Sequence, residues 1–184
     1  MAKRDKNTIT LGSGKFYLML FSGTMPAVAD VCKDENLLGK IKGGAALEYT
    51  VETYEEKDDL GTVSKIIVTS EEAILKCGLI TWNGDTLKKL ADRCTVEEKD
   101  GKRTTKIGGA GNAQGGSYVA CFHHEDKTDG DIWVMIKGTN TAGFSLTFGN
   151  DAGTLIEPEF KAMPHDDNGT LIELIEEIPT TTGT

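Results

Sequence analysis

Hydrophobic and polar residues alternate most regularly between positions 45 and 52. Ala45, Leu47, Tyr49 and Val51 fall on one side and Ala46, Glu48, Thr50 and Glu52 on the other, the period of two expected of a strand with one packed and one wetted face. Residues 63–70 are expected to pair with this strand, across a loop at 55–61 that holds four acids and one lysine. A first strand is predicted over 15–21 and later ones over 118–124, 132–137 and 144–148, divided by turn signals at intervals of roughly ten residues. Asp100-Gly101 accepts the positive φ angles of a tight hairpin turn. Residues 26–44, interrupted by Asp30, Asp34 and Gly39, read as a loop with one helical turn.

One segment has helical spacing. Leu87, Leu90, Ala91 and Cys94 sit at i, i+3, i+4 and i+7, which predicts an α-helix over about 83–94 lying on a sheet. Asn83 is its expected N-cap, with Trp82 and Leu87 in the positions of a hydrophobic staple. Near the C-terminal end, two extended runs meet across a polar loop ending in Asn168-Gly169, and the pattern predicts an antiparallel hairpin over 154–178. In its first run Ile156, Pro158, Phe160 and Ala162 alternate with Glu157, Glu159 and Lys161. Pro158 cannot donate a ladder hydrogen bond, so that strand needs a free or bulged side there. Leu171, Leu174, Ile175 and Ile178 fit a helix as well as a strand. The turn before them and the three isoleucines in the run favour the strand. The fold class is therefore mainly β, a β-sandwich or barrel-like pair of sheets with one flanking helix. An N-terminal arm at 1–10 precedes a single β-domain at 11–184.

Composition narrows the chemistry. A chain of 184 residues can bury about 70% of its unfolded surface in one domain without staples. Lys and Arg number 20 against 29 Asp and Glu, for a net charge of -9, which opposes gripping of a phosphate backbone. Cys32, Cys77, Cys94 and Cys121 lack CxxC spacing, and MAKRDKNTIT has no apolar core of a secretory signal, so reduced, mostly buried thiols in a cytosol-made protein are expected. No apolar run approaches the roughly 18 residues that span a bilayer. Gly12-Ser13-Gly14-Lys15 ends like a phosphate loop, but Ile9 stands where its first glycine belongs and Phe16 where Ser or Thr belongs. It reads as a turn into a strand. The glycines of 108–116 miss dinucleotide spacing and precede a strand. Cys121, His123 and His124, with Cys94, are the one cluster of soft ligands. Strand alternation puts Cys121 and His123 on one face and His124 on the other, so at most two converge locally. No metal, cofactor or catalytic residue is expected, and no nucleophile elbow is present.

Several segments carry a family resemblance. "EFKAMP" with the acidic turn and "NGTL" that follow, "LGSGKFYL" at 11–18, "LGKIKGGAALEYTVE" at 38–52 and "EEAILKCGLITWNGDTLKKL" at 71–90 together resemble, in order and over most of the chain, the tail-tube (major tail) proteins of long-tailed bacteriophages. The resemblance implies a β-sandwich with one flanking helix and a strand after Asn168-Gly169. It implies hexameric rings whose sheets join edge to edge, stacked into a tube that conducts double-stranded DNA without binding it. Other expected partners are the tail terminator, tape-measure and distal tail proteins, and the expected location is the virion tail, after synthesis in the bacterial host cytoplasm.

Charge asymmetry agrees with head-to-tail association. Residues 1–15 hold four bases and one acid, for +3, and 154–178 hold seven acids and one lysine, for -6. A wall that passes DNA must lack exposed positive charge, which makes Glu48, Glu52, Glu157 and Glu159 candidates for the lumen. The family uses its long hairpin loop and terminal segments between rings, so Lys3, Arg4, Lys6, Glu55, Glu56, Asp58 and Asp59 are stacking candidates. Two other readings remain: the inner tube of a contractile tail or secretion apparatus, and a monomeric carbohydrate-binding β-sandwich with Trp82, Trp133 or Tyr118 as its platform.

Overall fold

In the computed structural model, which describes residues 8–151 and 153–178, the chain is mainly β, with one large antiparallel sheet, a separate hairpin and two short α-helices. Strand β1 (Lys15–Leu20) is entered through Gly14, whose missing side chain matters: a Cβ there would lie 2.0 Å from the His123 carbonyl oxygen. Gly14 thus serves close backbone packing at the entry to the strand. After β1 come a one-turn helix α1 (Val28–Val31) and β2 (Leu37–Gly39), which pairs with β1.

Two long strands follow, β3 (Ile41–Lys57) and β4 (Ser64–Leu79). Their register differs from the expected one. Residues 45–52 pair with 70–77, and 64–70 pair with 52–57, because polar Thr53–Lys57 continue the strand and the loop shrinks to a turn. Thr69 is an extra residue opposite Glu52, where the register shifts.

Helix α2 (Gly84–Leu90) starts as expected. Asn83 Oδ1 accepts from the Thr86 N–H at 2.9 Å, and the Thr86 hydroxyl accepts from the Asn83 N–H. It ends four residues earlier than its periodicity suggests. Ala91 is already extended, Asn140 Nδ2 donates to the Leu90 carbonyl at 3.0 Å, and buried Cys94 opens β5 (Cys94–Lys99) instead of extending the helix. Replacing Asn83 with Ala should cost about 1 kcal/mol in chemical denaturation, since the Thr86 N–H loses its acceptor.

Strand β5 pairs with β6 (Lys102–Ile107) across Asp100 and Gly101, both with positive φ, as the Asp-Gly signal predicts. Strands β7 (Tyr118–His124) and β8 (Ile132–Asn140) form the middle of the large sheet, followed by β9 (Glu159–Ala162) and β10 (Glu173–Glu176). Residues 144–148 are not a strand. Phe144 and Leu146 pack against the core, yet no neighbouring strand pairs with them.

The expected 154–178 hairpin is also corrected. Strands β9 and β10 do not pair with each other: β9 lies beside residues 138–140 of β8 and β10 beside residues 132–135, both antiparallel to it. They lie in tandem along one side of β8, and β9 pairs with β4 on its other side. The Asn168-Gly169 signal closes an excursion instead, in which Asp166 accepts from the N–H groups of Asn168 and Thr170 and from the Thr170 hydroxyl. Buried Pro158 precedes β9, and Asn140 Oδ1 supplies the acceptor for the Glu159 N–H at 2.9 Å.

The sheet runs β2-β1-β7-β8-β9-β4-β3, and its two ends are consecutive in the chain. Only Lys40 separates β2 from β3; its N–H donates to Thr81 Oγ1 and its carbonyl accepts from Ile80. The backbone therefore closes the sheet into a barrel. Inside lie Phe16, Leu18, Leu75, Leu79, Ala120, Ile136, Ile156 and Phe160, together with Leu87 and Leu90 from α2. The intervening residues Tyr17, Val119, Cys121 and Met135 face the other way and pack under Met25, Val28, Val31 and Leu37. That side of the barrel is buried twice over.

Candidate assembly interface

Strands β3 and β4 continue past the barrel as a two-stranded arm. Residues 64–73 of β4 pair only with β3, while β9 reaches only Ile74–Lys76. Among the described residues, both outer edges of the arm are thus without a neighbouring strand, the arrangement most open to another chain. At its tip Asp58 organises the turn, accepting from the Val63 N–H at 2.7 Å and from the Thr62 hydroxyl at 2.8 Å. These bonds hold its carboxyl below the usual carboxylate range.

Of the 17 large hydrophobic side chains left exposed among the described residues, eight lie between Tyr49 and Val68. Register sorts them. On one face Leu47, Leu75 and Ala73 belong to the core side of the strands, and the same stripe runs outward through Tyr49, Val51, Val68 and Ile66. Ile66 is 62% exposed and Val68 58%. The core stripe continues into solvent with nothing to cover it. On the opposite face Tyr54 and Ile67 form a cross-strand pair flanked by Glu52, Glu56 and Lys65, and Leu60 and Val63 sit at the tip. Contiguous exposed apolar surface of this kind marks an interaction site.

The acidic lumen candidates occupy the outward face of β3, β4 and β9, but with company. Lys76 Nζ lies 3.1 Å from Glu48 and 3.2 Å from Glu159, and Lys161 pairs with Glu72. Glu52 accepts from the Ser70 hydroxyl, and Glu157 is exposed at the rim of a groove of about 1060 Å³ beside Lys42 and Gly43-Gly44. The face holds six carboxylates (Glu48, Glu52, Glu56, Glu72, Glu157, Glu159) and three ammonium groups (Lys65, Lys76, Lys161), for -3. It is acidic by excess. Lys65, Lys76 and Lys161 were not among the residues expected on this face; alternation of β4 and β9 places them there.

Of the stacking candidates, Glu55 and Glu56 belong to β3 and not to a loop. Glu55 pairs with Lys57 at 3.1 Å, Glu56 accepts from the Tyr54 hydroxyl, and Asp58 and Asp59 are at the exposed tip. Lys3, Arg4 and Lys6 lie outside the described residues, as does most of the expected arm at 1–10. Residues 8–10 are without regular secondary structure.

The soft-ligand cluster is dispersed. Cys121 Sγ faces Cys32 Sγ at 3.9 Å, His123 Nε2 is 2.8 Å from Asp131, His124 Nδ1 is 2.9 Å from the Ser13 carbonyl, and buried Cys94 lies at the start of β5. The candidate carbohydrate platforms are half-buried: Trp133 stacks on His123 at 4.9 Å, Trp82 packs on the core and edge-on to Phe148, and Tyr118 packs on the core. No helix is long and apolar enough to cross a membrane among the described residues. No protein-family model matches the chain, and no curated protein matches it.

Proposed function

We propose that the chain is the structural subunit of a phage tail tube, assembling into rings that stack around a DNA-conducting lumen. The observation that carries this reading is the arm, whose core-side stripe leaves the barrel uncovered through Tyr49, Val51, Val68 and Ile66. Taking one such side chain from half exposure to burial contributes about 1 kcal/mol, so eight contribute on the order of 8 kcal/mol. Two-body association costs about 4–15 kcal/mol. A single contact is therefore marginal. A closed ring, in which every subunit both gives an arm and receives one, offsets that cost cooperatively. The outward face of β3, β4 and β9, at -3, suits a wall along which a polyanion slides without being held.

Purified protein viewed by negative-stain electron microscopy is expected to form annuli or uniform tubes above a threshold concentration. A monodisperse monomer at every concentration would refute the reading. The lumen assignment has its own test. Changing Glu48 and Glu52 together to Lys should leave tubes intact and slow DNA release about tenfold at physiological salt. Unchanged ejection would move the lumen to another face.

A further inference from the structure

We propose that Cys32 and Cys121 are an oxidisable pair that closes to a disulfide when the protein meets a low-molecular-weight disulfide, pinning the 25–37 cover to the barrel. The two sulfurs lie 3.9 Å apart although 89 residues separate them in the chain. They differ in access and in setting. Cys121 is fully buried in the middle of β7, between β1 and β8, and is held by ladders on both sides. Cys32 is half-buried at the C-cap of α1, a four-residue helix whose N-cap has no side-chain hydrogen bond. Closing the gap to the ~2.05 Å of a disulfide therefore falls to α1 and its flanks.

The environment also selects which thiol attacks. A hydrogen bond from Cys121 holds Cys32 below the ordinary thiol value, against burial and with help from Lys15, while the same contact and burial push Cys121 up. Cys77 is pushed up to about 12 by burial, and burial also raises Cys94. Cys32 is the accessible nucleophile of the four.

With oxidised glutathione the steps balance. The Cys32 thiolate attacks one glutathione sulfur, an S–S bond forms as the reagent's own S–S bond breaks, and one glutathione thiolate leaves and takes a proton. Cys121 then loses its proton and attacks the Cys32 sulfur, releasing the second glutathione. Two protein thiols are oxidised and one disulfide is reduced to two thiols. The bond would close a loop of nearly half the chain and tie the cover, which contributes Met25, Val28, Val31 and Leu37 to the outer core cluster, to the sheet beneath it.

The test uses the full native chain and does not depend on whether it forms tubes. Incubation with oxidised glutathione, trapping of free thiols with N-ethylmaleimide and peptide mapping without reductant should find Cys32 joined to Cys121, with Cys77 and Cys94 free. The melting temperature should rise by about 5–15 °C and fall back with dithiothreitol. In Cys121→Ala the mixed disulfide on Cys32 should persist and the rise should vanish. In Cys32→Ser, a half-exposed position, the rise should vanish and Cys121 should stay free. Glutathione left on Cys32 of the unaltered chain without a cross-link, no modification at all, or a link from Cys32 to Cys77 or Cys94 would each overturn the proposal.

Discussion

Replacing residues 53–69 with Asn-Gly is expected to abolish assembly completely while the barrel still folds. Glu52 and Ser70 face each other across the ladder, so two residues of the type favoured in tight hairpins can join them. The deletion removes Tyr54, Leu60, Val63, Ile66, Ile67 and Val68, all exposed, and no residue of the barrel core. Melting should change by only a few degrees, because exposed side chains contribute little to a lone subunit. Sedimentation and electron microscopy should find monomers at concentrations where the intact chain is expected to form rings. Tubes that persist would remove the arm from the contact and leave the reading without its main support.

Phe160→Ala should have the largest effect on stability of any single truncation in β9. The ring is fully buried, stacks on Phe16 at 5.4 Å, and stands where β9 meets both β4 and β8. A loss of about 3–5 kcal/mol is expected, a large part of the 5–15 kcal/mol typical of a domain. Denaturant titration should show the shift in midpoint. A loss below about 1 kcal/mol would mean that the barrel wall can collapse around the gap.

These outcomes depend on features that were unevenly legible in the chain. Period-two patterning located β1, β7, β8 and the inner part of β3, because each packs at least one face. It stopped short on the arm. Thr53 to Lys57 are polar on both sides apart from Tyr54, and the consecutive Ile66, Ile67 and Val68 break alternation, with Thr69 shifting the register as well. The Asn-Gly signal was sound about the turn and silent about where the chain goes next, so the tandem placement of β9 and β10 was out of reach. Cys94 matched a helical position because a buried residue opening β5 falls seven places after Leu87, a coincidence of spacing across the break at Ala91. Phe144, Leu146 and Phe148 alternate like a strand, yet what makes a strand is a partner, and none adjoins them. Acids on one side of β3 were legible; the lysines that answer them come from β4 and β9. The meeting of Cys32 and Cys121 depends on α1 folding back over the sheet, which no local pattern encodes.

The single run from Leu37 through Lys57, interrupted only at Lys40, serves first as a barrel stave and then as one side of the arm. The register shifts twice along it, after Ile41 where Gly43 and Gly44 take positive φ and between Glu52 and Thr53, and the β3–β4 ladder continues past both. Tension applied at Asp58 would pass along β3 and β4 into the barrel wall, loading many backbone hydrogen bonds in shear at once instead of unzipping them in turn. An assembly joined through such levers would behave as a stiff rod under pull, its compliance confined to the joints between subunits.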